Sequence, residues 1–274
     1  MAACSRTTVV VVAHNAGSDL AKLLRQLAPQ AHCIVVDNAS TDGSAERLNG
    51  DFELIASPVN LGFGRACNKA FERVDTEFVL FLNPDTSVAS NLVDQLETAA
   101  DQQPGVALFG CRVLNSDGSV QAATYRTLPT VAGGVRQAVG ARPATIDASG
   151  KSGRSVSAVN GAAMFMRSRQ FADLGGFDEG FFLHCEDLDL FARLQQRGQQ
   201  LAVLDHIAIS HIKGGSGRHR WFVEFHKHRS MVRYFKKHLA KDCWWLARRL
   251  MPIAIWTRFV LFVPLWWVVE LFRR

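Results

Sequence analysis

The stretch Phe78-Val-Leu-Phe-Leu-Asn-Pro-Asp85 decides the fold of this 274-residue chain. Its first five residues are all apolar, a pattern typical of a strand that is buried on both faces. Similar runs precede it at residues 7–13, 33–37 and 52–57, and leucines at helical spacing fill residues 20–27. Strands that alternate with helices in this way predict an α/β fold built on a parallel sheet with right-handed crossovers.

Further helices, strands and turns are predicted in the rest of the chain. Asp42-Gly43 is expected to open a short helix, and Asn115-Ser-Asp-Gly118 predicts a hairpin turn. Residues 127–154 are rich in Gly, Ala, Arg and Pro, and we interpret them as a mobile loop over an acceptor site or as an ordinary surface insertion. Further helices are predicted at residues 65–73, 91–100 and 187–197, and further strands at 106–110, 155–166 and 201–204.

The composition is that of a globular protein without a disulfide framework. Hydrophobic residues make up 48% of the chain, enough to form a large core. The six cysteines are far apart and include no Cys-x-x-Cys pair, so we interpret them as reduced thiols of a cytosolic protein. Residues 1–6 lack the features of a signal peptide, and we expect the domain to stay in the cytoplasm.

Positive charge is concentrated at the carboxyl end. Fourteen Lys and Arg residues and three acids lie between His211 and Arg274, so this part carries +11 and residues 1–210 carry −5. Its apolar residues form blocks rich in Trp and Phe instead of alternating with the cations, which argues against a nucleic-acid partner. We therefore expect the partner of this basic surface to be anionic lipid.

Residues 241–274 are predicted to form a helical tail on a domain that spans residues 1–240. The segment 253–272 is long enough to cross a bilayer, but Arg258 and Glu270 interrupt it. Its flanking arginines and tryptophans are typical of an amphipathic interfacial or re-entrant helix. We expect this tail to lie on a membrane surface in preference to spanning it.

Polar residues follow the buried strands, at the edge where ligands of such sheets bind. Asn15 and Asp37 follow the first two strands. A carboxylate at Asp37 suits the imide N–H of uracil or thymine, or the hydroxyls of a ribose, because it accepts charge-assisted hydrogen bonds. An aspartate that forms a turn or caps a helix is the alternative interpretation.

Asp85 and His211 are the candidate metal ligands. Asp85 is a hard oxygen ligand that suits Mg²⁺ or Mn²⁺, and such an ion neutralises a departing nucleoside diphosphate. His211 offers an imidazole nitrogen, and the Gly-rich segment after it, with Lys213, would hold the diphosphate. A turn at Asn83-Pro-Asp85 and a structural or solvent-facing histidine are the alternatives.

Three carboxylates lie at the start of a predicted helix, in His184-Cys-Glu-Asp-Leu-Asp189. A carboxylate here would be the general base that removes the proton of an attacking hydroxyl. Repulsion among Glu186, Asp187 and Asp189 would raise the proton affinity of one of them. Favourable placement of acids at a helix amino end explains the same pattern.

Seven stretches carry a resemblance to a known family. They are Val-Val-Val-Ala-His-Asn-Ala, Val-Val-Asp-Asn-Ala-Ser-Thr-Asp-Gly-Ser, Asn-Leu-Gly-Phe-Gly-Arg-Ala-Cys-Asn, Phe-Leu-Asn-Pro-Asp, Val-Asn-Gly-Ala-Ala-Met-Phe-Met-Arg, Gly-Gly-Phe-Asp-Glu-Gly-Phe-Phe and Glu-Asp-Leu-Asp-Leu. Over roughly residues 7–240 the chain resembles inverting family-2 glycosyltransferases of the GT-A fold, and more narrowly bacterial rhamnosyltransferases. The resemblance implies a Rossmann-like, nucleotide-binding mixed sheet flanked by helices.

The resemblance also implies a role for each candidate residue. Asp187 would act as the base, with Glu186 and Asp189 nearby. Asp85 and His211 would bind the metal, and an asparagine replaces the first acid of the family's Asp-x-Asp-like motif. The donor-binding residues would be Asn15, Asp37, Asn60, Gly62, Asn68, Asn83, Gly161 and Lys213.

We therefore expect a metal-dependent transferase that moves rhamnose from dTDP-rhamnose, with inversion, to a polyprenyl-linked or other glycan acceptor. It would act at the cytoplasmic face of a bacterial inner membrane. Mg²⁺ or Mn²⁺ would bind weakly until the donor arrives, because Asn83 supplies no charge. Two alternatives stay open: a UDP-hexose or UDP-galactofuranose donor, and a catalytically silent protein that binds sugar nucleotides.

Overall fold

The computed structural model describes residues 5–45, 48–133, 154–211 and 220–271. They form one mixed sheet with helices packed on it. The strands are β1 (Thr7–Ala13), β2 (His32–Asn38), β3 (Glu53–Ser57), β4 (Phe78–Leu82), β5 (Thr86–Ser87), β6 (Val106–Leu114), β7 (Arg154–Val156), β8 (Ala163–Arg167) and β9 (Gln200–His211). The helices are α1 (Asp19–Leu27), α2 (Phe63–Phe71), α3 (Leu92–Gln102), α4 (Ser168–Asp173), α5 (Glu186–Gln196), α6 (Arg220–Tyr234) and α7 (Trp245–Leu271), with a π-helical turn (Phe235–Leu239) and a 3₁₀ turn (Ala240–Asp242) before α7.

The sheet has the strand order β3-β2-β1-β4-β8-β6-β9-β5, and β7 pairs with β9. The first four strands in this order are mutually parallel, which confirms the predicted parallel block. β8 then pairs antiparallel with both β4 and β6, so the complete sheet is mixed. The carboxyl ends of β1, β2 and β4 lie at one edge, where the candidate site is found.

The core forms on both faces of the sheet, because β1 and β4 are buried along their whole length. Leucines of α1 and α3 cover one face. Residues of α2, α4 and α5 cover the other, around three phenylalanines. There the ring of Phe81 lies 4.7 Å from Phe171 and 5.2 Å from Phe177, at the inclined angles that aromatic pairs favour.

Two local predictions were wrong. Described residues 42–45 form turns and not a helix, because the Asp42 carboxylate accepts hydrogen bonds from the Ser44 and Gly17 amides at 2.9 and 3.1 Å. The segment 155–166 is two strands, β7 and β8, since Asn160 makes a turn by accepting from the Ala162 amide at 3.0 Å. The hairpin at residues 115–118 is confirmed, whereas residues 134–153 of the predicted loop lie outside the described residues.

Helix α7 packs on α6 through aromatic rings. The ring of Phe259 lies 5.9 Å from Trp221 and 6.0 Å from Phe225. Of the predicted tail, residues 245–271 form a helix that contacts α6, and its amphipathic character stays a prediction. Within the described ranges, no helix has both the length and the apolar character needed to cross a membrane.

Helix α5 begins in an unusual way. His184 and Cys185 have φ angles of 67° and 66°, in the left-handed region that costs energy for residues other than glycine. Glu186 then points inward, and its β-carbon lies close to Gly64 of α2. Burial, with a further contribution from the charge of Asp187, raises the pKa of Glu186 to about 8. Glu186 therefore carries its proton at neutral pH.

This burial predicts a pH-dependent stability. The stabilisation linked to the raised pKa is fully present below the ordinary carboxyl value and is lost as the pH rises toward about 8. Glu186→Gln keeps a neutral side chain at every pH. The variant should therefore gain stability relative to the parent chain between pH 5 and pH 8, by more than about 1 kcal/mol in urea unfolding. The free energy of unfolding of the control Glu72→Gln, at an exposed residue, should change with pH as that of the parent chain does. If Glu186→Gln and the parent chain showed the same change with pH, the raised pKa of Glu186 would be wrong.

Candidate active site

The ends of β1 and β2 lie side by side at the carboxyl edge of the sheet, and we call the space beyond this edge the crevice. Ala13 and Asp37 are paired in register, so Asn15 and Asp37 lie on the same rim. Asn15 Oδ1 accepts from the Thr41 amide at 2.8 Å, and Asp37 Oδ1 accepts from the Ser40 amide at 3.2 Å. Both residues thus hold the loop that follows β2, while the half-buried carboxylate of Asp37 keeps lone pairs for a further donor.

Asn60 and Gly62 lie in the connection before α2. Asn60 Oδ1 accepts from the Gly62 amide at 2.9 Å and from Asn38 Nδ2 at 3.2 Å. Gly62 has φ +81°, and a Cβ there would lie 2.3 Å from the carbonyl oxygen of Phe182. The glycine is therefore required by the close approach of two backbone segments. Asn38, which sequence reasoning missed as an organising residue, also accepts from the Leu61 amide at 2.7 Å.

Asn68 joins α2 to the segment before α5. Its Nδ2 donates to the carbonyl of Phe177 at 2.9 Å, and its Oδ1 accepts from the amide of Phe177 at 2.8 Å. These bonds give Asn68 a structural role. Its direct contact with a donor stays a prediction, as do those of Asn60 and Gly62.

Asp85 and His211 converge although 125 residues separate them in sequence. The two-residue strand β5 pairs with the end of β9, which sets Thr86 opposite His211. Asp85 Oδ1 then lies 3.2 Å from His211 Nε2, and Asn83 Nδ2 lies 3.4 Å from the same nitrogen. A cavity of about 490 Å³ opens beside Asp85.

This pair offers two of the side chains that a divalent ion could use as ligands. A carboxylate oxygen and an imidazole nitrogen suit Mg²⁺ or Mn²⁺. Among the described residues no group of three or more His, Cys, Asp and Glu side chains is placed to hold an ion. The pair therefore fits an ion whose remaining ligands come from a bound diphosphate and water. Lys213, the other candidate at this position, lies outside the described residues.

Asp187 lies at the first turn of α5, with 16% of its side chain exposed. Its Oδ1 accepts from the Leu188 amide at 2.8 Å. Its Oδ2 accepts from Arg126 Nη1 at 3.2 Å. Arg126 lies just before the irregular residues 127–154, at a position for which no element was predicted, so the sequence offered no signal for this contact.

The segment 160–162 connects the two halves of the site. The carbonyl of Ala162 accepts from the Asn83 amide at 3.0 Å. A Cβ on Gly161 would lie 2.9 Å from Asp187 Oδ2. The backbone at these residues thus lies between Asn83, two residues before Asp85, and Asp187.

Asp189 faces the protein interior and not the crevice. It is 0% exposed, and its Oδ1 lies 2.7 Å from both His238 Nε2 and Lys237 Nζ. Its Oδ2 lies 2.8 Å from Arg193 Nε. Burial alone would raise the pKa of Asp189, but the bonds from His238 and Lys237 hold it below its usual value. Asp189 therefore anchors α5 to the π-helical turn, a contact that sequence spacing did not predict.

Relatives of known function share much of the chain. An N-acetylglucosaminyl-diphospho-decaprenol L-rhamnosyltransferase of Mycobacterium tuberculosis is 26% identical over 234 residues, which cover 76% of each chain. Rhamnosyltransferase WbbL of Escherichia coli is 32% identical over 78 residues, 28% of this chain and 30% of that one.

Solved structures share the fold. Staphylococcus aureus TarS 1–349 in complex with UDP-GlcNAc has a TM-score of 0.59 at 14% identity and covers 93% of this chain and 80% of that one. GalNAc-T7 with UDP, GalNAc and Mn²⁺ has a TM-score of 0.61 at 15% identity, and the chain spans 47% of its length. The model of glycosyl transferase family 2 matches residues 8–163, from β1 to the start of β8. The chain belongs to glycosyl transferase family 2.

Proposed function

We propose that this chain transfers a rhamnosyl residue from dTDP-rhamnose, with inversion, to a hydroxyl of a polyprenyl-diphosphate-linked glycan. The observation that carries the proposal is the position of Asp187, a carboxylate across the segment 160–162 from the Asp85–His211 pair. The name of the mycobacterial relative supports both the sugar and the lipid-linked acceptor.

Asp187 would act as the general base through Oδ2. The acceptor hydroxyl gives its proton to this oxygen while the hydroxyl oxygen forms the new bond to the anomeric carbon. The bond from that carbon to the donor diphosphate breaks on the opposite face, and its electron pair leaves with the nucleoside diphosphate. Asp37 and Asn15 would hold the nucleoside on the rim of the crevice.

Asp85 and His211 would hold Mg²⁺ or Mn²⁺ together with the donor diphosphate, and Lys213 would add a further cation. When bound, the ion would neutralise the charge that develops on the leaving group. Asn83 contributes no charge. The protein alone therefore offers few ligands, and we expect firm metal binding only with the donor present.

A UDP-hexose or UDP-galactofuranose is the second candidate donor, because the TarS structures contain UDP and UDP-GlcNAc. Uracil and thymine present the same imide N–H, so Asp37 suits either base. A catalytically silent sugar-nucleotide-binding protein is the third candidate. The carboxylate of Asp187 beside the crevice argues for the two transferases.

One transfer assay tests both the identity of the donor and the role of Asp187 as the general base. The purified chain is incubated with a membrane lipid extract and, in separate reactions, with dTDP-rhamnose, a UDP-hexose or UDP-galactofuranose. Mass spectrometry should detect a glycosylated lipid only with dTDP-rhamnose, and its added mass should be that of a rhamnosyl residue. Asp187→Asn should lower kcat by roughly 10²- to 10⁴-fold, because the amide cannot take the proton, and should leave donor affinity unchanged. The control Asp173→Asn, at a side chain that is 64% exposed, should match the parent chain.

Other outcomes would change the assignment. Product formed only from a UDP-sugar would replace rhamnose with that sugar. Donor binding without transfer or hydrolysis would favour the silent binder. Full turnover by Asp187→Asn would remove the proposed base.

If Asp85 and His211 bind the ion together with the donor, ion binding should depend on the presence of the donor. Asp85→Ala should raise the Mn²⁺ concentration for half-maximal activity by about tenfold or more. Asp19→Ala, which changes an acid in the same cavity outside the pair, should not. Calorimetry should detect firm Mn²⁺ binding only when the nucleotide is present. A tight Mn²⁺ complex of the donor-free protein would contradict the proposed site.

We further propose that residues 241–274 hold the catalytic domain, residues 1–240, at the cytoplasmic face of an anionic membrane. Trp244 and Trp245 are 64% and 65% exposed at the start of α7. Leu250, Ile253, Val260 and Leu261 are exposed further along the same helix. Exposed tryptophans beside arginines suit the boundary between lipid headgroups and water.

Vesicle sedimentation tests this contact. The chain should bind phosphatidylglycerol-containing vesicles more strongly than neutral phosphatidylcholine vesicles, and added salt should weaken the binding. The double variant Trp244→Ala with Trp245→Ala should bind several-fold less. Val59→Ala, at an exposed apolar residue outside the tail, should bind as the parent chain does. Equal binding by the tail variant would exclude these tryptophans as anchors.

A further inference from the structure

Arg126 is a cation in contact with the proposed base. Its Nη1 donates to Asp187 Oδ2 at 3.2 Å, and 33% of its side chain is exposed. Its backbone is fixed by reciprocal hydrogen bonds with Ala158, at 3.2 Å from the Arg126 amide and 3.1 Å from the Ala158 amide. Ala158 lies only three residues before Gly161. The backbone of Arg126 is therefore held beside the segment that leads to Gly161, and its guanidinium lies beside Asp187.

This contact competes with the chemistry. Oδ1 of Asp187 already accepts from the Leu188 amide, so Oδ2 is the oxygen that faces Gly161 and the crevice. An oxygen that accepts a charge-assisted bond from a guanidinium is less available to the proton of a hydroxyl. Movement of the guanidinium to another anion when the acceptor binds would leave this oxygen to that proton.

A second cation, Lys227, lies on α6, where its Nζ is 3.3 Å from Glu224 Oε1 and 38% of its side chain is exposed. Helix α6 packs over the segment before α5, with Ser230 Oγ donating to the carbonyl of Leu183 at 2.9 Å and the rings of His226 and Phe182 4.3 Å apart. The pKa of the nearby His184 is lowered first by burial, then by the charge of Lys227, with a smaller contribution from Arg126.

Helix α6 also links this surface to the tail. Its Trp221 and Phe225 contact Phe259 of α7, the helix proposed to lie on the membrane. Helix α6 thus contacts both α7 and the segment before α5. In a lipid-linked acceptor the diphosphate lies between the lipid and the sugar that carries the hydroxyl.

We propose that Arg126, with Lys227 as a second cation, binds the diphosphate of the lipid-linked acceptor and thereby leaves Asp187 Oδ2 to the acceptor hydroxyl. This subsite rests on the proposed function. A guanidinium binds phosphate oxygens through paired hydrogen bonds, so a diphosphate replaces the carboxylate as its partner. The donor also contains a diphosphate, but the Asp85–His211 pair across the segment 160–162 is assigned to it.

Two acceptors distinguish this subsite from a general role of the arginine. One is N-acetylglucosaminyl diphosphate on a farnesyl chain, and the other is octyl N-acetylglucosaminide, which has no phosphate. Arg126→Ala should raise KM for the first by about tenfold or more and change KM for the octyl glycoside and the donor little. Arg126→Lys should recover part of the loss, and Lys227→Ala should show the same selectivity with a smaller effect. The control Arg169→Ala, at a side chain that is 93% exposed, should behave as the parent chain does.

Each other result has a defined meaning. Equal losses on both acceptors, for the Arg126 and Lys227 variants alike, would overturn the subsite and leave the proposed function standing. A rise in the donor KM alone would assign the cations to the donor diphosphate. Absence of transfer by the parent chain to both acceptors, with any donor, would overturn the proposed acceptor and the subsite with it.

Discussion

The candidate site depends on the close approach of one backbone segment, residues 160–162, to its neighbours on two sides. The carbonyl of Ala162 binds the Asn83 amide, and Gly161 leaves no room for a side chain beside Asp187. Strand β8 begins at the next residue and pairs with β4, which fixes this segment on the sheet. The separation between the Asp85 side and the Asp187 side is therefore set by the sheet and not by mobile side chains.

Much of the architecture was predictable from the sequence because the strands that build it are buried on both faces. The continuous apolar runs of β1, β2 and β4, which alternate with helices, predicted a parallel sheet. The polar residues after these strands indicated the edge of the sheet at which a ligand would bind. Asp37 and Asp85 could be singled out for this reason. Asp187 could be located by its place at the start of a helix, although its role came from the family resemblance.

Other parts of the site depend on contacts that leave no periodic pattern. Strand β5 has two residues, too few for any alternation, yet its pairing with β9 brings His211 to Asp85. Arg126 reaches Asp187 from a segment that looks irregular in sequence. The acidic cluster was ambiguous for a physical reason, because neighbouring residues on a helix point in different directions. Asp187 faces the crevice, while Glu186 and Asp189 face the interior.

The anchoring of Asp189 has a consequence for how such enzymes diverge. Its buried carboxylate contacts Lys237 and His238 of the π-helical turn, and removal of one partner from a buried ion pair costs about 3–5 kcal/mol. In a chimera the acid on α5 and its partners after α6 therefore have to match. A junction between residues 196 and 237 takes them from different parents, so such a chimera keeps this buried contact only where both parents carry the pair.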